Sequence, residues 1–211
     1  MTAVSRGVFV TLEGGEGAGK STQIAAIARL ASAVGREVVT CREPGGTLLG
    51  ERLRAALFAT AEGETPPAPA AELLVFTAAR AQLVAEVIRP ALDRGALVIC
   101  DRFGDSTLAY QHYGRGLELP MVEAANRAAT QGLVPDLTLL LDLAPEDGFQ
   151  RGQRGLDYLE REDMEFHRRV RRGFLNLAAA EPERWLVLDA TTPEMQITHT
   201  AWERIRGLLG T

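Results

Sequence analysis

The chain has 211 residues, 46% of them hydrophobic, enough for one substantial α/β core and short for two. Its formal net charge of −5 argues against a nucleic-acid surface, because binding to a phosphate backbone rests on clustered positive charge. No apolar stretch approaches the ~20 residues of a membrane span, and Met1 to Gly7 lacks the apolar core of a signal peptide, so a cytoplasmic protein with no nucleic-acid or membrane partner is expected.

Val8 to Glu13 is a mostly apolar run of the kind a buried parallel strand shows, and Ser21 to Val34 carries Ile24, Ile27, Leu30 and Val34 at helical spacing. Between them stands Gly14-Gly15-Glu16-Gly17-Ala18-Gly19-Lys20-Ser21, a complete G-x-x-x-x-G-K-S phosphate-binding loop. Its glycines let successive backbone N–H groups point at an anion, and the helix N-terminus adds its positive dipole end. Lys20 is the only lysine of the chain, and every other basic side chain apart from histidine is arginine. The loop needs a compact ammonium on a flexible stem, which a planar guanidinium does not supply. Strand, glycine loop and helix together read as a site for a nucleoside triphosphate. Gly14, Gly15, Glu16, Gly17, Ala18, Gly19, Lys20, Ser21 and Thr22 are expected to hold ATP, with the Ser21 hydroxyl placed to ligate Mg²⁺.

Further strand-like runs follow at Val38 to Cys41, Leu97 to Cys100, Leu137 to Leu141 and Trp185 to Leu188. Helices are expected at about 48–60, 70–93, 119–131, 145–154, 162–180 and 193–209. The proline-rich stretch Glu62 to Pro69 reads as a surface loop. Cys41 and Cys100 read as small buried thiols with no disulfide. The alternation gives a P-loop NTPase fold, a three-layer α/β/α sandwich whose five-stranded parallel sheet is covered by helices on both faces. Its site is expected at the carboxyl ends of the strands. One kinase domain is expected over residues 1–211, with a mobile lid at about 150–165.

Polar residues gather at those strand ends. Asp101, directly after the third strand, is positioned to orient a Mg²⁺ shell beside Ser21. Arg42 and Arg102, ending neighbouring strands, suggest a second anion site facing the phosphate loop. The histidines, His112, His167 and His199, sit in polar contexts without nucleophile or acid partners and read as structural or solvated.

Arg42-Glu43-Pro44-Gly45-Gly46-Thr47, Phe76-Thr77-Ala78-Ala79-Arg80, Asp101-Arg102-Phe103-Gly104-Asp105-Ser106 running into Ala109-Tyr110-Gln111, and Gly114-Arg115-Gly116-Leu117 occur in order along the chain. In these motifs the sequence resembles bacterial thymidylate kinases. The resemblance implies a homodimer that uses ATP and Mg²⁺ to phosphorylate thymidylate (dTMP). It implies that Glu16 and Glu43 face the acceptor's sugar and the metal region, that Arg54, Arg102 and the Arg42 region frame its 5′-phosphate, and that Pro44 also belongs to the acceptor site. By the same likeness Phe76 stacks on the pyrimidine, Arg80 hydrogen-bonds its carbonyl edge, and Ser106, Thr107, Tyr110 and Gln111 line the base pocket. The acceptor is already an anion, so alignment and charge neutralisation suffice and no general base is needed.

The sequence departs from that pattern in the lid. Asp157-Tyr158-Leu159-Glu160 carries a tyrosine where the family has arginine, and Gly17 gives the phosphate loop no basic residue. Beside Lys20 and Arg102, the expected catalytic charges are therefore Arg151 and Arg154, with Arg161 next. Arg168, Arg169, Arg171 and Arg172 read as a solvated helix face. His112 stands where the family has glycine. A P-loop kinase for another monophosphate and a nucleotide-binding homologue without turnover are the competing readings. A guanine-reading switch needs a second lysine in its Asn/Thr-Lys-x-Asp motif and is excluded.

Overall fold

The computed structural model describes residues 6–59, 65–151 and 158–210. Five strands form one parallel sheet: β1 (Val8–Glu13), β2 (Val38–Arg42), β3 (Leu97–Asp101), β4 (Leu137–Asp142) and β5 (Trp185–Asp189), in the order β2-β3-β1-β4-β5. All five runs expected as strands are strands, each within a residue or so of its expected limits. Parallel pairing sinks both faces of the central strands, which is why those runs are apolar rather than alternating.

Around the sheet lie α1 (Lys20–Ala33), α2 (Leu48–Phe58), α3 (Pro69–Leu83), α4 (Arg89–Asp93), α5 (Gly104–Thr107), α6 (Leu119–Thr130), α7 (Pro145–Arg151), α8 (Met164–Ala180) and α9 (Glu194–Leu209). Val8, Val10 and Leu12 of β1 pack with Ile27 of α1 and Trp202 and Ile205 of α9. Phe9, on the opposite face, packs with Leu83, Ile88, Leu92 and Phe103, its ring edge-on to Phe103 at 4.9 Å. A third cluster joins Tyr110 and Leu140 to Phe166, Val170 and Phe174 of α8. Alternate residues of one strand thus serve the two helical layers.

Side-chain caps set helix starts. The Thr47 hydroxyl accepts from the Gly50 N–H at 2.9 Å and opens α2, while the Asp163 carboxylate accepts from the Phe166 N–H at 2.7 Å, so α8 begins at Met164 rather than at Glu162. The run expected at 70–93 is one continuous helical path, but it widens into a π-helical segment at Val84–Ile88, where the Arg89 N–H reaches back to the Val84 carbonyl. Pro90, just beyond, has no N–H to donate and crowds the carbonyl four residues back, which favours the wider turn. Pro69, expected to close a loop, instead occupies the first turn of α3, where its missing N–H costs nothing. The expected helix ends at residues 60 and 152–154 lie outside the described residues.

One element escapes the sequence reading. Residues Gly104–Thr107 and a π-helical stretch Leu108–Gly114 form a helical arm directly after β3. Its side chains are polar and its turns wide, so no 3.6-residue apolar stripe marks it.

Candidate active site

The carboxyl ends of β1, β2 and β3 open into a cleft of about 600 Å³, lined from Glu16 to Thr22 on one side and by Phe76, Arg80 and the α5 arm on the other. That volume suits a ligand of nucleotide size.

The phosphate loop has the backbone its glycines promise. Gly14 (φ 138°) and Gly17 (φ 69°) sit in the left-handed half of conformational space. A Cβ on Gly14 would stand 2.5 Å from the Leu141 carbonyl oxygen, and one on Gly17 would run into the carbonyl of Gly148 in α7. The position that lacks a basic residue is therefore closed to any side chain. Lys20 Nζ donates to the carbonyls of Gly14 (3.0 Å) and Gly15 (2.9 Å). Burial, with Arg102 close by, brings its ammonium down to a pKa of about 8.

Arg102 reaches the same spot from β3. Its Nη1 donates to the Gly14 carbonyl at 3.1 Å, its Nη2 to Glu16 Oε1 at 2.5 Å, and its guanidinium lies 5.1 Å over the Tyr110 ring. Burial works against the Glu16 charge, but Arg102 and Lys20 hold its carboxyl below the usual range. The backbone of Arg102 is left-handed (φ 70°), a strained state for a residue with a Cβ. Glu13 holds that turn in place: its fully buried carboxyl accepts from the Phe103 N–H at 2.8 Å and bonds the Ser106 hydroxyl at 2.5 Å. Burial, then the neighbouring Asp105, pushes the Glu13 carboxyl up to about 8. Asp101 and Ser21 both line the cleft, and the buried Oδ1 of Asp101 has no hydrogen-bond partner among the described residues.

At the other end, Phe76 is half-buried on the cleft wall and belongs to none of the three apolar clusters, so it is not core. Arg80 is 1% exposed. It spends Nε and Nη2 on the Glu43 carboxylate (2.8 and 2.6 Å), Nη2 again on the Phe103 carbonyl (3.0 Å), and Nη1 on Asn126 Oδ1 (2.6 Å). Glu43, expected toward sugar and metal, and Arg80, expected on the base, thus meet each other first. One Nη1 hydrogen of Arg80 remains for a ligand. Burial raises the Glu43 carboxyl and Arg80 opposes the rise. Arg54 donates to the Pro44 carbonyl at 3.2 Å and lies 4.8 Å over the Phe58 ring, and Arg42 bonds Glu51 at the exposed rim. Arg42, Arg54 and Arg102 all line the one cleft, together with Ser106, Thr107, Tyr110 and Gln111.

Of the lid residues, Arg151 lines the cleft and ties Nη1 to the Ala190 carbonyl at 3.1 Å. Arg154 lies outside the described residues. Tyr158, in the family's arginine position, is buried with its ring 5.7 Å from Phe58 of α2 and fills space rather than carrying charge. Arg161 is exposed. The arginines of α8 are not one solvated face: Arg171 grips Asp142 at 2.7 Å and Arg169 donates to the Gly114 carbonyl at 3.1 Å, while Arg168 and Arg172 pair with exposed glutamates. His167 is buried on the cleft wall between Phe149 and Phe166, and burial lowers its pKa. Glu72 and Asn126 escape the sequence reading, while Glu13 and Arg115 enter it only as a strand end and as part of a motif, with no role given. A charged residue on the inward face of an apolar helix, as Glu72 is on α3, was the available signal.

Comparison with known proteins gives one consistent family. A family model described as thymidylate kinase matches residues 12–201. A thymidylate kinase of Deinococcus radiodurans is 52% identical over 204 residues, covering 96% of this chain and 98% of that protein. One from Synechococcus sp. (strain JA-3-3Ab) is 53% identical, covering 94% and 95%. The crystal structure of thymidylate kinase from Ehrlichia chaffeensis superposes with a TM-score of 0.77 at 34% identity, covering 95% of this chain and 99% of that one.

Proposed function

This chain belongs to the thymidylate kinase family and phosphorylates thymidine 5′-monophosphate with ATP, and from that premise we propose how its residues do so. The amides of Gly15 to Ser21 and the Lys20 ammonium hold the ATP phosphates, while Arg42, Arg54 and Arg102 draw the acceptor phosphate toward them. The observation that carries this reading is the convergence of Lys20, at the start of α1, and Arg102, just after β3, on the Gly14 carbonyl. Two cations at one point neutralise charge passing between donor and acceptor, and alignment does the rest. Arg102 is therefore the compensating charge that needs no lid movement, and Arg151 adds to it from the lid segment at about 150–165.

Mg²⁺ fits the residues present. A single unsatisfied carboxylate oxygen on Asp101 and the Ser21 hydroxyl match a cation that keeps several waters and takes its other ligands from phosphate. Held by these two residues, Mg²⁺ would supply charge neutralisation to the ATP phosphates.

Phe76 stacks on the thymine and Gln111 meets its edge. We further infer one kinase domain that works in the cytoplasm as a homodimer; Leu48 and Leu49 of α2 and Leu74 of α3, all exposed on helices that pack together, supply apolar surface for the pairing. A phosphoryl-transfer assay with ATP across the common monophosphates tests the reading: thymidylate gives the highest kcat/KM, and a higher value for another acceptor refutes it. Sedimentation of wild type and Leu74→Glu tests the dimer.

A further inference from the structure

Gln111 is 2% exposed and sits on the α5 arm with one side of its carboxamide against α3 and the other on the cleft wall. Its Nε2 donates to Glu72 Oε1 at 2.8 Å. Glu72 is fully buried and does not line the cleft. Its two oxygens also receive Arg115, Nε at 3.2 Å on Oε1 and Nη2 at 3.0 Å on Oε2, and Arg115 reaches on to Glu162. A carboxylate held by a guanidinium in this bidentate way only accepts hydrogen bonds. Turning the Gln111 amide over would press its oxygen against a buried carboxylate oxygen and strand both. The atom left facing the cleft is Gln111 Oε1, which has no donor among the described residues.

We propose that Glu72, fixed by Arg115, is a specificity-determining positioning residue: it locks Gln111 with its carbonyl toward the acceptor base and so selects pyrimidines that carry a proton on N3. Thymine and uracil offer that N–H. Cytosine presents a lone pair there, which faces the Gln111 oxygen unpaired. The inference rests on the acceptor site proposed above and deepens it, because the selecting group lies outside the cleft.

The test is kcat/KM for thymidylate and for deoxycytidylate at saturating ATP, in wild type and Glu72→Gln. A glutamine at 72 can accept or donate, so Gln111 is free to turn over. The thymidylate-to-deoxycytidylate ratio is expected to fall roughly 10–100-fold while KM for ATP changes less than about twofold. Both substrates losing rate together at a constant ratio would mean that Glu72 is only structural. In a Gln111→Ala background the substitution at 72 is expected to leave the ratio where it is; a further fall would show that Glu72 acts by another route. Should Glu72→Gln not fold, the wild-type protein decides: by NMR the Gln111 side-chain amide protons exchange slowly with and without thymidylate, and fast exchange in the free protein overturns the proposal. A wild-type enzyme with no preference for thymidylate overturns the acceptor site and this inference together, an outcome separate from an unchanged ratio in the variant.

Discussion

The two ends of the cleft are built on opposite plans. At the end proposed for phosphate the groups on offer are the amides of a glycine loop, and the side chains that gather there, Lys20, Arg102 and Glu16, hold backbone carbonyls or one another. At the base end the polar side chains are sunk into ion pairs, Arg80 with Glu43 and Arg115 with Glu72; the first pair lines the cleft, and the second stands behind it and touches the cleft only through Gln111. Phosphates are alike in every nucleotide, so a generic cradle is enough. A base must be told from its relatives, and that takes orientation fixed from behind. The plans fail differently: a change at the first end removes charge stabilisation and spares the fold, whereas a change at the second leaves a buried charge alone.

Substitutions can break that contrast in order of size. Lys20→Ala is expected to lower kcat by a factor on the order of a hundred or more while Tm stays within about two degrees. Steady-state kinetics beside thermal unfolding check it, and activity within tenfold of wild type would take Lys20 out of catalysis. Arg80→Ala inverts the pattern. It strands Glu43 and is expected to cost about 3–5 kcal/mol of stability, or a Tm drop of about 10 °C, so an unchanged melting curve would mean the pair is not structural.

Phe76→Ala sharpens the contrast without touching an ion pair. Loss of stacking worth roughly 1–3 kcal/mol raises KM for thymidylate far more than KM for ATP; equal rises would return Phe76 to the core. Arg151→Ala, whose guanidinium rests on the Ala190 carbonyl, is expected to lower kcat by roughly tenfold with little change in either KM. A loss larger than that of Arg102→Ala would move the compensating charge from β3 to the lid.

The smallest effect concerns Glu13, behind the phosphate end. Its pKa of about 8 in the fold stands above the ordinary 4.5, so between those values the folded protein keeps a proton that the unfolded chain releases. The stability contributed by this group is complete below pH about 4.5 and is lost as pH rises toward about 8. Glu13→Gln keeps a donor for Ser106 and an acceptor for the Phe103 N–H. Its Tm is expected to match wild type near pH 4.5 and exceed it by a few degrees at pH 8. Parallel curves across that range would show that Glu13 ionises normally.

The same contrast decides what could be read from sequence. The phosphate end was legible because its geometry needs particular residues at particular spacing, and the five strands were legible because buried parallel strands are apolar throughout. Arg80 and Gln111 were singled out through family likeness, but their partners were not. Glu72, Asn126 and Glu13 act through neighbours 39 to 90 positions away in the chain, and nothing local in the sequence states that pairing. The arm after β3 was lost for a local reason, its polar, wide-turned helix having no apolar period. Gly17 was visible as a missing charge, whereas its cause, the carbonyl of Gly148 against it, is a tertiary fact.

Lys20 being the only lysine makes the phosphate loop chemically addressable. Apart from the α-amino group it is the molecule's one primary amine, and a pKa of about 8 leaves much of it neutral and nucleophilic in mildly alkaline buffer. An acylating reagent therefore has two amines to find, Lys20 and the α-amino group, and on the proposed reading nucleotide protects only the first. A lysine-specific protease meets one cleavable bond, between Lys20 and Ser21, at the first turn of α1. Loss of the Lys20 label on adding nucleotide, read by mass, is then the expected sign that the loop holds it, without a tag or an engineered residue.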